Sequence, residues 1–197
     1  SPGRIAWNRF RKIPTAMAGL MWILLMTFLA LGGYLFLPDR TPYANHQQLE
    51  ISTHKPGTRI KTLFIKKNQP ARDVSAIRQI LDGRPLEFNT IPIQSYHFEE
   101  HLLHYEVYAG QPGFPGPDEY SLLPDILYPL DMSFEVQILD PDTMMFKDIH
   151  GEIRRRSIGE MQKEIAEKNI KEKFYILGTD MFGRDMLSQL VIGARVS

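Results

Sequence analysis

No cysteine occurs among the 197 residues, which excludes disulfides, thiolate metal sites and a cysteine nucleophile. Many extracytoplasmic proteins also lack cysteine, so this absence does not assign a compartment. Net charge is missing too: 23 Lys plus Arg balance 23 Asp plus Glu, and nothing in that total argues for nucleic acid or an acidic polymer as partner. There is no internal repeat, no serine-nucleophile elbow, no phosphate-cradling glycine loop and no base-reading motif. The length suits one domain with attachments rather than several independent folds.

The most telling absence is local. No charged residue occurs from Ile13 to Pro38, and Ala16 to Leu37 reads AMAGLMWILLMTFLALGGYLFL. At 1.5 Å per residue this run spans roughly 33 Å as a helix, enough for a hydrocarbon core of about 30 Å. A cleaved signal peptide has a shorter apolar region and a small-x-small site, so the run predicts an uncleaved transmembrane helix over 14–38. Arg4, Arg9, Arg11 and Lys12 crowd its N-terminal side, whereas after Asp39 and Arg40 the next Lys or Arg is Lys55. The positive-inside bias therefore puts a tail, 1–13, in the cytoplasm and everything after residue 38 outside it.

From Thr41 to Gly57 the chain is polar and punctuated by Pro42, Pro56 and Gly57, which reads as a linker over 39–57. Ile60, Leu63, Phe64 and Ile65 predict a strand. Val74, Ile77, Ile80 and Leu81 predict a short helix over 73–81 with Gly83 as its stop, and Leu86 to Tyr108 predicts further strands. Ser133 to Leu139 reads as a strand with Phe134, Val136 and Ile138 on one face. The run from Gly110 to Pro117 is too rich in Gly and Pro for regular structure. Ser157 and Glu160 have capping-box spacing and predict a helix from about Ile158 to Lys173. Together these elements predict a small α+β extracytoplasmic domain over 58–174.

One enzymatic pattern stands out. His97-Phe-Glu-Glu-His101 matches H-x-x-E-H, in which two histidines one helical turn apart hold zinc and a Glu activates water. That chemistry requires a helix, and the flanks IPIQSY and LLHYEVYA look like strand. No metal site is assigned on this pattern. Asp140-Pro-Asp142 with Asp148 lacks the glycine and terminal Glu of a calcium loop and reads as a turn.

The C-terminal stretch 177–197 reads LGTDMFGRDMLSQLVIGARVS. Gly178 suits a turn and Thr179 or Asp180 a helix cap. Leu187, Leu190, Val191 and Ala194 then recur at helical spacing, with Gly193 small enough for close packing and Arg195 able to snorkel. This predicts the start of a second membrane-entering helix within 175–197. The pattern reaches Ser197 without a stop signal, so the chain reads as part of something longer.

This stretch closely resembles the LGTD-x-x-GRD-x-LSRL-x-x-GAR-x-S signature of dipeptide/oligopeptide-type ABC transporter permeases, the C-type subunit. It departs at Gln189, where Arg is usual. The N-terminal WNRFRKIPTAMAGLMWILL resembles the basic stretch and x-A-x-x-G-L that open the first membrane helix of that family. The resemblance covers about residues 4–57 and 174–197. It marks Leu177, Gly178, Thr179, Asp180, Gly183, Arg184, Asp185, Leu187, Ser188, Gly193, Ala194, Arg195 and Ser197 as family-motif positions.

The resemblance implies a permease subunit of a binding-protein-dependent ABC importer in the bacterial inner membrane, not an enzyme, with no cofactor. Its implied partners are a second permease subunit, ABC ATPase subunits, a solute-binding protein and membrane lipid. Residues 58–173 are not explained by it and are expected to be an inserted extracytoplasmic domain. The rival expectation is a single-span anchored periplasmic domain, either a binding module or a zinc hydrolase built on His97, Glu100 and His101.

Overall fold

The charge-free run does form a helix, but it does not stand alone. The computed structural model describes residues 2–70, 74–75, 78–79 and 82–196. In it α1 (Pro2–Phe10) is followed by α2 (Pro14–Phe36). Between Pro2–Phe10 and Pro14–Leu29 the axis bends by 97°. Pro14 has no N–H to give to a preceding turn, so it suits the start of a new helix and not the middle of a continuous one. The tail expected over 1–13 is thus largely helical, and the single N-terminal helix becomes a helix pair. Among the described residues no single helix is long and apolar enough to cross a membrane, whereas the bent pair passes on length and composition. The α2 backbone continues to Phe36, 23 residues in all.

The chain forms two compact units: residues 1–45, 74–84 and 187–197, and residues 46–73 and 85–186. In the first, α5 (Met186–Val196) contributes all but its first residue. Ile192 packs with Tyr34, Leu37 and Ala44, and Val191 borders the same cluster. Ser188 is buried and its Oγ accepts from the Asp39 N–H at 3.2 Å. The inward stripe of α5 is therefore buried Ser188 and Ile192 with half-buried Val191, while Leu190 and Ala194, expected on the packed face, are exposed. Of the helix expected over 73–81, residues 73, 76, 77, 80 and 81 lie outside the described residues. Arg78, Gln79 and Asp82 are helical.

The second unit is a small β-rich domain. Strands β1 (Thr58–Lys66), β2 (Phe88–Glu99), β3 (Leu102–Val107), β4 (Asp118–Leu122) and β8 (Ile170–Tyr175) form an antiparallel sheet in the order β4-β3-β2-β1-β8. A second sheet orders β5 (Gln137–Asp140), β6 (Thr143–Lys147) and β7 (Ile153–Ser157). Two short helices, α3 (Leu123–Leu127) and α4 (Ile158–Glu164), supply apolar residues to the same core. That core gathers Leu63, Ile93, Leu103, Ile126, Phe146 and Met161 among others. The strict alternation of buried and half-buried positions along β3 shows one face turned to this core.

Two sequence expectations need correction. The strand expected from Ser133 begins only at Gln137, because the Asp131 carboxylate accepts from both the N–H and the hydroxyl of Ser133 and folds the preceding residues into a turn. The helix expected to Lys173 stops at Glu164, continues as one π turn over Ile165–Asn169, and gives way to β8. The buried Asn169 amide ends it by donating to the carbonyls of Phe64 and Ile126, at 2.7 and 3.3 Å. Ser157 does stand at the N-cap of α4, but its hydroxyl makes no cap bond and donates to Asp142 instead.

Candidate functional site

The segment 177–185 is a tight turn organised around the Asp180 carboxylate. Oδ1 of Asp180 accepts from the N–H groups of Phe182 and Arg184, both at 2.9 Å. Oδ2 takes the Arg184 guanidinium through both Nε at 2.7 Å and Nη2 at 2.6 Å, charge-assisted contacts converging on one oxygen. Burial pushes the Asp180 carboxyl up, but these donors outweigh it and hold the carboxyl below the ordinary range.

The same turn is stitched to the chain around residues 48–54. Thr179 Oγ1 donates to the Ile51 carbonyl and accepts from the His54 N–H. Gln48 N–H reaches the Phe182 carbonyl at 3.0 Å and Thr53 N–H the Asp180 carbonyl at 2.9 Å. The approach is so close that side chains are excluded. A Cβ at Gly183 (φ +70°) would lie 1.7 Å from the Gln48 carbonyl oxygen, and one at Gly178 (φ +76°) 2.1 Å from that of His54. Asp185 is buried in this turn and Leu177 is exposed at its start.

The structure thus brings Gly178, Thr179, Asp180, Gly183, Arg184 and Asp185 together, keeps Leu177 at the start of the same turn, and leaves the motif positions from Leu187 onward in the other unit. There, Leu187, Ser188, Gly193, Ala194 and Arg195 lie on α5. The Arg195 guanidinium sits 5.2 Å from the centre of the Tyr34 ring, a cation–π arrangement. Close packing expected at Gly193 is not found, since a Cβ there would meet nothing within 4 Å. Gln189 donates from its amide to the carbonyls of Tyr43 and Ala44. Ser197 lies outside the described residues.

The backbone that the turn grips is the end of the segment for which a known family exists. Residues 1–56 match the family model of the N-terminal TM domain of oligopeptide transport permease C. The match supports an oligopeptide permease family. No curated protein and no solved structure matches the chain.

Beyond the permease-like segment, the H-x-x-E-H pattern does not form its zinc geometry. His97 lies in β2, and Glu100 (φ +47°) and His101 make the two-residue turn into β3, so no helical face carries the two histidines. His97 instead stands directly across from His104 of β3. Their rings stack at 5.1 Å with 13° between planes. Glu99 Oε2 lies 3.1 Å from His104 Nε2. His104 was legible in sequence only as a strand residue, because its partnership depends on where the hairpin turns.

Proposed function

We propose that this chain is the N-terminal part of a C-type permease subunit of a binding-protein-dependent ABC importer for di- or oligopeptides or similar small solutes. The family match over residues 1–56 carries the reading. In this account α2 crosses the bacterial inner membrane within 14–38 and residues 1–13 face the cytoplasm. The basic flank of Arg4, Arg9, Arg11 and Lys12 supports that orientation. Residues 39–57 are a linker, 58–174 an extracytoplasmic domain, and 175–197 the motif and the start of a second membrane helix. A second permease subunit, ATPases and a solute-binding protein complete the importer.

The β-rich domain reads as an insertion, and its ends support this. Thr58 at the start of β1 pairs with Tyr175 at the end of β8, and the Gly57 N–H donates to the Tyr175 carbonyl at 2.9 Å. A domain whose entry and exit are neighbours can be added to a host chain without separating the host segments on either side. Here those segments are the matched residues up to 56 and the 177–185 turn, which remain hydrogen-bonded to each other. We assign the outward domain, with its Pro/Gly loop at 110–117, to contact with the solute-binding protein or the partner permease.

Uptake of a labelled tripeptide by cells lacking the gene tests the reading. Uptake should fall to background and return with the full-length gene; undiminished uptake would contradict it. Replacing 58–174 by a short glycine linker should weaken association with the binding protein, and unchanged association and uptake would remove that role.

A further inference from the structure

The outer face of the five-stranded sheet carries a group of side chains to which the proposed function assigns no role. Along β2, positions 95, 97 and 99 point away from the core, because residues two apart share a strand face. Along β3 the half-buried positions 102, 104 and 106 do the same. The hairpin register sets His97 opposite His104 and Glu99 opposite Leu102, so two imidazoles and a carboxylate meet on one face. One ligand atom from each of His97, Glu99 and His104 lies within 4.8 Å of the others.

The geometry points to a binding site for a divalent transition-metal ion of the zinc type, held by His97, Glu99 and His104. Two ring nitrogens and one carboxylate oxygen are a donor set suited to Zn2+, Ni2+ or Cu2+ and unlike the all-oxygen shells of Ca2+ and Mg2+. Tetrahedral bonds of about 2.1 Å place donors about 3.4 Å apart, so the present separations close by side-chain rotation without moving the strands. His97 and Glu99 are exposed, with solvent rather than packed core around them.

Two further observations favour a cation here. The Nε2 atom of His104 is shielded from solvent and, despite its proximity to Glu99, has no properly aligned hydrogen-bond partner. The shallow groove beside the histidines, about 230 Å³, is also lined by Glu106, Asp118 and Glu119, which concentrate positive ions at its mouth. With three protein ligands, a tetrahedral ion keeps one position for water or for a donor from another molecule. The site rests on the β2–β3 register and is independent of the transport reading.

Calorimetric titration of the untagged full chain in detergent micelles with Zn2+ alone tests the site. One ion should bind per chain, and His97→Ala, His104→Ala and Glu99→Gln should each weaken binding by roughly tenfold or more, a loss of about 1.4 kcal/mol or greater. His101→Ala should bind like the parent chain. His97 is exposed, so its variant separates ligand loss from unfolding, with far-UV circular dichroism confirming an intact sheet. No binding by the parent chain, unchanged binding by His97→Ala, or a loss in His101→Ala equal to that in His97→Ala would overturn the proposal.

Discussion

The two compact units treat apolar surface in opposite ways. In α2, Met21, Trp22, Ile23 and Leu24 are 60–70% exposed, whereas Leu63, Leu103 and Phe146 of the β-rich unit are wholly enclosed. A water-soluble fold seldom leaves so continuous an apolar surface open. The difference teaches that the units are built for different surroundings: α2 needs an apolar solvent outside the protein, while the β-rich unit carries its apolar interior with it. Substitutions of the same general kind should therefore fail in different ways in the two places.

The largest expected effect is in the enclosed core. Phe146→Ala removes a fully buried ring and should lower the stability of the β-rich unit by about 3–5 kcal/mol, read by thermal or urea unfolding, while membrane association stays intact. Leu24→Arg should do the reverse. A cation near the middle of a spanning helix costs about 2.5–3.5 kcal/mol of insertion free energy, so the membrane-integrated fraction should fall in a carbonate-extraction assay with no change in core unfolding. If Leu24→Arg lowers core stability and leaves integration untouched, the contrast is broken.

The motif glycines sharpen the comparison at a smaller scale. Gly183→Ala places a methyl group against the Gln48 carbonyl at a left-handed backbone position and should cost about 1–3 kcal/mol. Gly193→Ala, in a helix with open space around it, should instead gain about 0.5–1 kcal/mol. Paired unfolding measurements on the two variants check this, and equal effects would mean that the turn and helix assignments are wrong.

The smallest effect is on acid stability, and it belongs to the β-rich unit. The Asp131 carboxyl is held at about 2 by hydrogen bonds from Ser133 and Lys147. Burial pushes the Asp148 carboxyl up, but Arg154 and backbone N–H donors outweigh this and hold it below the ordinary range, as the donors around Asp180 do there. These carboxyls ionise lower in the folded chain than their reference value of 3.8. Their stabilisation is therefore complete above that value and is lost as pH falls through the folded values. Unfolding of the β-rich unit followed between pH 5 and about 2 should show this loss. Asp148→Asn should flatten the acid limb.

Much of this contrast is legible in the sequence. An unbroken charge-free run announces α2, and the period-two pattern announces β1 to β3. Gly178 signals a turn, whereas Thr179 and Asp180, expected to cap the following helix, bond within the turn and to residues 51 and 54 instead, and the helix begins only at Met186. The end of the helix at Asn169 is not legible, because Lys171, Glu172 and Lys173 look the same on a solvated helix face as on the edge strand β8. The bend before Pro14 has a local signal in the proline itself. The histidine pair has none: His97 and His104 meet only after the turn at Glu100 and His101 sets the register. In sequence His97 lies nearer to His101, but the hairpin sets it across from His104. The bonds joining residues 48–54 to 177–185 are equally invisible, since more than a hundred residues separate their partners.

The most direct test is the sidedness of α2, and the lack of cysteine in residues 1–197 simplifies it. Asn8→Cys in the N-terminal tail and Gln111→Cys in the Pro/Gly loop, each the sole thiol within residues 1–197, are treated with a membrane-impermeant maleimide in intact spheroplasts. The account predicts that Gln111→Cys labels at once and Asn8→Cys labels only after lysis. Labelling of both in intact spheroplasts, or of Asn8→Cys alone, would contradict a helix that crosses the membrane from inside to outside.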